Sequence, residues 1–201
     1  MDEKEKEIKK EKVGLKRRLS AKRLAFMGVF VALAYATSWL QTPPLFGTKF
    51  LQLDFGSVFI VLISFLLGPV EGVVVCFLKE CLRLIGSDTY AGELANFLIT
   101  SSYLLLPSIL YQFRKNLKTV IISLLISTII ATVVALISNR FLVFPAYEVL
   151  WGSIFGQTAK EAFHTYFWAL LGFNILKSVS VGIITILLYK RLSNFLKKMK
   201  I

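Results

Sequence analysis

Charge is scarce along most of this chain. Only 18% of its 201 residues are Asp, Glu, Lys or Arg, while 56% are apolar and the mean hydropathy is +0.68; ordinary soluble domains carry about 25% charged residues. Histidine occurs once, at His164, which argues against a histidine-ligated metal site and reads as an interfacial residue at a helix start. Cysteine occurs twice, too few for a disulfide framework. Cys76 and Cys81 fall on one expected helix about 140° apart around its axis, so they cannot pair without unwinding it and read as packing residues. There is no P-loop, no Gly-rich strand–helix turn and no His-Glu-x-x-His or paired-Cys spacing. With no nucleophile–base pair either, the chain reads as a binder and not an enzyme, without a cofactor or metal.

The charge that is present sits at the edges. Of 24 Lys and Arg, ten lie between Lys4 and Arg23, five between Lys190 and Lys200, and three at Arg114, Lys115 and Lys118. The formal charge of +12 therefore belongs to two tails and a turn. Nothing resembles a base-reading module, so retention beside anionic lipid explains it better than a nucleic-acid surface. The N-terminus does not read as a cleavable signal peptide, because the apolar run after Arg23 is too long for one.

Apolar runs of about 17 residues or more are membrane-span candidates. Leu24–Leu40, Thr119–Ser138 and Thr165–Tyr189 are plain, and Glu93–Phe113 is long enough but begins with polar residues. Phe55–Leu67 and Val70–Ile85 are short and divided by Gly68-Pro69-Val70-Glu71-Gly72. They read as tilted spans, with a re-entrant hairpin as the alternative. The expected fold is an all-α integral membrane protein with six transmembrane helices, two of them short, in a single bundle with an outward-facing ligand cavity. Residues 1–20 form a basic cytoplasmic tail, 21–190 the six-helix substrate-binding domain and 191–201 a second basic cytoplasmic tail. Both termini face the cytoplasm: that side collects 18 basic residues, and the opposite loops hold only Lys49, Arg140 and Lys160.

Polar groups inside the spans are costly and mark candidate sites. Lys177 lies near the middle of the last span with Asn174 one turn earlier. Phe167, Leu170, Asn174, Lys177 and Val181 follow a 3-4-3-4 spacing, one helical face with an aromatic wall, an amide and a cation. This face either binds a ligand or glues the helix to a neighbour through an ion pair. Glu93, Asn96, Thr100, Tyr103 and Pro107 make a similar stripe, with Glu93 also matched to a helix N-terminus. On the third span Glu80 and Arg83 are spaced to pair locally, leaving one of Lys79 and Arg83 over for Glu93 or a ligand acceptor. Two small-residue ridges complete the pattern. Ala21, Ala25, Gly28, Ala32 and Ala36 line the first span, and Ser123, Ser127, Ala131 and Ala135 the fifth. Either packs inside the monomer or receives a partner.

The basic N-terminus, the alanine-rich first helix, the long loop ending Phe50-Leu51-Gln52-Leu53-Asp54-Phe55 and the Leu67-Gly68-Pro69 turn together resemble a known family. It is that of the substrate-binding (S) subunits of energy-coupling factor (ECF) vitamin transporters. Gly92-Glu93-Leu94-Ala95-Asn96-Phe97 and Asn174-x-x-Lys177 resemble its riboflavin-specific members. The resemblance covers nearly all of the chain after Arg17. It implies riboflavin as the transported ligand, captured from outside the cell membrane, and docking on a membrane coupling subunit with two cytoplasmic ATPases. It implies that Asn174, Lys177 and Asn139 bond the carbonyl-rich edge of the flavin; from the residue pattern itself, Glu93, Asn96 and Lys79 are further ligand-facing candidates. The first loop, around Gln41, Thr42, Leu45, Phe46 and Thr48, would close over the ribityl chain. Ala21, Ala25, Gly28, Ala32 and Ala36 would meet the coupling subunit. An S subunit for another vitamin (thiamine or pantothenate) is the alternative within the family. An intramembrane enzyme using Glu93, Glu80 or His164 is the alternative outside it. A self-contained secondary transporter would need repeats between the halves, and none is convincing.

Overall fold

The computed structural model describes residues 20–48, 50–86, 90–114, 116–154 and 156–198, without the side chains of 190–198. The basic N-tail before Ser20, Lys49, Lys115 and residues 199–201 lie outside that set. The described residues form helices only, apart from two isolated backbone bridges. In order they are α1 (Ala21–Thr37), α2 (Gly56–Leu67), α3 (Pro69–Leu84), α4 (Tyr90–Phe113), α5 (Leu117–Ser138), a π-helical turn (Asn139–Val143), α6 (Phe144–Trp151) and α7 (Ala159–Lys198). Three stretches are long and apolar enough to cross a membrane: Tyr90–Phe113, Leu117–Trp151 and Ala159–Tyr189. α2, with 12 residues, is apolar but short.

The shortest apolar run holds the centre. Nine of the 12 residues of α2 are buried, and it packs against α1, α3, α4 and α7. A helix of this length rises only ~18 Å, so it is covered at every side by protein, as befits a helix apolar all round. Val58, Ile60, Val61, Leu62 and Ile63 are almost fully buried there, against Phe30, Ala34, Val75 and Leu104. The turn into α3 is made by Gly68 at φ +130°, a conformation that disfavours any side chain, with Pro69 opening the next helix. Gly72 brings α3 hard against α2, since a Cβ there would stand 2.4 Å from Ser64 Cβ. Arg23 at the foot of α1 holds the turn through the Leu67 carbonyl (3.0 Å) and Glu71 (3.5 Å). At the same end Phe65, Tyr111 and Tyr189 pack at steep ring angles, largely edge to face, and the two tyrosine hydroxyls bond each other.

Two stretches differ from the expectation. Residues 139–151, expected as loop, continue α5 through the π-helical turn into α6; Pro145, which has no N–H to donate, falls directly after that turn, where the helical bond pattern changes. The last helix begins at Ala159, six residues before Thr165, and runs to Lys198 without a break at 190.

Candidate functional site

The end of the bundle that carries the α1–α2 loop encloses a cavity of about 710 Å³. α7 supplies its floor. Asn174 and Lys177 are buried and line it, while Leu170 and Val181 on the same face pack inward. Asn174 Nδ2 donates to the Leu170 carbonyl at 2.8 Å, and Asn139 Nδ2 does the same to the Ala135 carbonyl at 2.8 Å. Each amide is thus held by its own helix while it lines the cavity, and each retains an oxygen and a second N–H. Asn139 stands where the π-helical turn begins, a local widening often found at functional positions.

Lys177 has a partner that sequence reading did not place. Its Nζ donates to Asp54 Oδ2 at 3.0 Å and to Asn96 Oδ1 at 3.4 Å. Asp54 Oδ1 accepts the Gly56 N–H at 3.1 Å, so one carboxylate both caps the start of α2 and neutralises the lysine. Burial pushes the Asp54 carboxyl upward, but the charges of Lys177, Lys79 and Arg83 hold it well below the usual carboxylate range. Sequence left this face open between binding a ligand and an interhelical ion pair; the ion pair is present, and Asn174 and Lys177 also line the cavity.

The charges of α3 and α4 are arranged differently from the expectation. Glu80 does not pair with Arg83; it takes Lys79 at 2.8 Å, and Arg83 takes Glu93 at 3.4 Å. The cause lies at the end of α1. Arg83 Nη1 donates to the Ser38 carbonyl at 3.0 Å, beyond the last turn where helix carbonyls lack partners and the dipole is negative. Its guanidinium also lies 5.2 Å from the Trp39 ring centre. Arg83 and Glu93 therefore line the cavity, whereas Lys79, 1% exposed, stays behind the lining with Glu80. Of the α4 stripe, Glu93 and Asn96 reach the cavity; Thr100 meets Ser57 at 3.4 Å and Tyr103 donates to the Ser178 carbonyl at 2.8 Å, both as packing contacts between helices.

The loop residues divide in the same way. Gln41 lines the cavity, with Phe50, Leu51, Gln52 and Asp54. Thr42, Leu45, Phe46 and Thr48 do not. Thr42 Oγ1 accepts the Leu53 N–H at 3.0 Å, the Leu45 N–H donates to the Leu51 carbonyl at 2.9 Å, and Thr48 Oγ1 accepts the Leu51 N–H at 3.1 Å. These residues fold the loop on itself. Phe46, at φ 55°, rests its exposed ring beside Gly172, where a Cβ would come within 3.3 Å.

Six aromatic side chains also line the cavity: Trp39, Phe50, Phe144, Tyr147, Trp151 and Phe173. Phe144, Tyr147 and Trp151 lie on one side of α6 at helical spacing. Flat apolar walls with a few aimed amides and charges suit a planar ligand carrying hydrogen-bonding edges.

The family sequence model "ECF transporter, substrate-specific component" matches residues 22–190. The chain belongs to that family. Among relatives of this S component, the "Riboflavin transporter RibU" of Staphylococcus aureus (strain TCH60) is 34% identical over 178 residues, 88% of this chain and 93% of that protein. The "Riboflavin transporter FmnP" of Bacillus subtilis (strain 168) is 24% identical over 187 residues, 90% of this chain and 97% of that one. A solved structure described as "Structure and mechanism of the S component of a bacterial ECF transporter" superposes with a TM-score of 0.73 at 34% identity, covering 88% of this chain and 98% of that chain. Family and apolar helices together make this S component a membrane protein of a transport system.

Sequence reading missed Asp54 and the α6 aromatics in this S component. The signal for the aromatics was present, since their 3-4 spacing is helical. Asp54 had a weaker one, a lone acid at the foot of a loop when a buried lysine needed a counter-charge.

Proposed function

We propose that this S component captures riboflavin from the outer side of the cell membrane and delivers it inward with a membrane coupling subunit and two cytoplasmic ATPases. The observation that carries the ligand is the cavity of about 710 Å³, which Asn139, Asn174 and Lys177 line together with six aromatic side chains. That volume lies within the range of small-molecule pockets, roughly 300–1,000 Å³. Riboflavin is neutral and planar, with carbonyls and an N–H along one edge and a tail of hydroxyls. The two amides offer both donors and acceptors to the edge, the lysine donates to a carbonyl oxygen, and Gln41, Gln52 and Asn96 suit the hydroxyls. A relative 34% identical over 88% of this chain, described as a riboflavin transporter, supports this assignment.

In this reading all six expected spans cross the membrane, α2 and α3 as short helices covered by their neighbours. The 18 basic residues of the two tails and of the turn between α4 and α5 keep both termini in the cytoplasm, and the cavity opens outward. Ala21, Ala25, Gly28, Ala32 and Ala36 are all exposed and form the docking ridge for the coupling subunit. Thr42, Leu45, Phe46 and Thr48 shape the lid without touching the ligand.

Titration of riboflavin fluorescence with the purified, detergent-solubilised chain tests the proposal. Saturable quenching at one flavin per chain is expected. Unquenched fluorescence at micromolar protein excludes riboflavin and returns the site to other vitamins.

A further inference from the structure

Among the described residues, four charged side chains line the cavity: Asp54, Arg83, Glu93 and Lys177. They are two acids and two bases, and each is matched. Lys177 Nζ lies 3.0 Å from Asp54 Oδ2, and Arg83 Nε lies 3.4 Å from Glu93 Oε1. The further pair Lys79–Glu80, at 2.8 Å, is self-neutral behind the lining. The wall therefore carries no net formal charge. Walled by apolar helices, the cavity has an effective dielectric far below that of water, so one unmatched charge would act across its whole width. An uncharged ligand meets no opposing field. An anionic ligand must shed its water with no counter-charge left to receive it.

We propose that Asp54 and Glu93 are specificity determinants: by cancelling Lys177 and Arg83 they tune the cavity to the uncharged flavin and against its phosphate ester. This rests on the riboflavin reading above. The carboxylates act through the cations beside them and need no contact with the ligand.

The geometry makes Asp54 separable from its structural duty. Oδ1 serves the Gly56 N–H and Oδ2 serves Lys177. Asp54→Asn keeps a carbonyl oxygen for Gly56, so α2 stays capped, but turns an amide N–H toward Lys177. The lysine becomes an unmatched cation in the wall. Glu93→Gln does the same for Arg83, which remains in place through its bond to the Ser38 carbonyl at 3.0 Å. A freed guanidinium is well shaped for phosphate oxygens.

The test measures riboflavin and riboflavin 5′-phosphate binding to the full chain in detergent, by flavin fluorescence quenching, for wild type, D54N, E93Q and the charge-preserving D54E. Wild type prefers riboflavin. D54N and E93Q each move the affinity ratio toward the phosphate by about tenfold, the size expected for a charge acting on another at roughly 10 Å with an effective dielectric near ~20. D54E keeps the wild-type ratio even where both affinities fall. Should one variant fail to fold, the other still decides. An unchanged ratio in both variants, or equal losses for both ligands, overturns the proposal and leaves the carboxylates as scaffolding. A wild-type chain that binds neither flavin overturns the function reading instead.

Discussion

Two ridges of small residues, alike in sequence, have opposite fates. On α5, Ser123, Ser127, Ala131 and Ala135 are buried, and the outward side carries Ile122, Leu125, Ile129 and Val133. On α1 the arrangement is inverted. Met27, Phe30, Val31 and Ala34 face the core, while Ala21, Ala25, Gly28, Ala32 and Ala36 are exposed. A Cβ added to Gly28 would meet nothing within 4 Å. The difference lies in what the other face offers. Where large aliphatics cover the outer side, small residues let neighbouring backbones approach inside the molecule. Where the large residues already fill the core, small ones leave an open track on the surface, suited to the close approach of another helix. Spacing alone does not distinguish the cases; the size of the residues on the opposite face does.

The comparison is broken most severely from the buried side. Ala131→Leu forces three additional heavy atoms into a site with no exposure, and is expected to destabilise the isolated subunit by about 1–3 kcal/mol or more. A thermal-shift measurement in detergent would show the melting temperature falling, with flavin binding lost alongside it. A melting temperature equal to wild type would mean that the α5 ridge is not packed as described.

Ala32→Leu is the matching change on the exposed ridge. Uptake by cells expressing the whole transporter should be abolished, while the isolated subunit keeps its stability and quenches riboflavin as wild type does. Loss of binding in the isolated subunit would show α1 to be an internal packing surface after all.

Cavity variants sit between these extremes. Asn174→Ala or Lys177→Ala should weaken riboflavin binding by about 1–3 kcal/mol, the cost of leaving ligand polar groups unpaired. For Lys177→Ala the loss includes stranding Asp54, 3.0 Å away, so a Lys177→Ala, Asp54→Asn double variant should recover stability but not affinity. Equal affinity in both single variants would remove this face of α7 from the site.

The smallest effect is expected at Gly28→Ala. With nothing near the new methyl group, the change should add about 0.5–1 kcal/mol of helix stability and leave binding untouched.

Much of this arrangement was legible in the residues because membrane physics is local. Apolar run lengths located the helices, and the cost of a buried lysine pointed to Lys177 and its face. What was not legible depended on partners distant in the chain. Asp54 lies 123 residues from Lys177, and no spacing rule connects them. Glu80 and Arg83 satisfied a helical pairing rule, yet the end of α1 and Glu93 drew Arg83 away. The α6 aromatics were hidden for a different reason: Arg140 and Pro145 interrupt the run, and the π-helical turn carries the helix past both. The first loop was expected to close over the ligand as a unit, and sequence cannot show that Thr42 and Thr48 are bonded within that loop and stand outside the cavity lining.

The most direct test of the central claim is the visible absorption spectrum of the chain purified from cells grown with riboflavin. The account predicts a flavin band at close to one flavin per chain, diminished in Asn174→Ala and retained in Ala32→Leu. A colourless wild-type protein that also leaves added riboflavin fluorescence unquenched would contradict it.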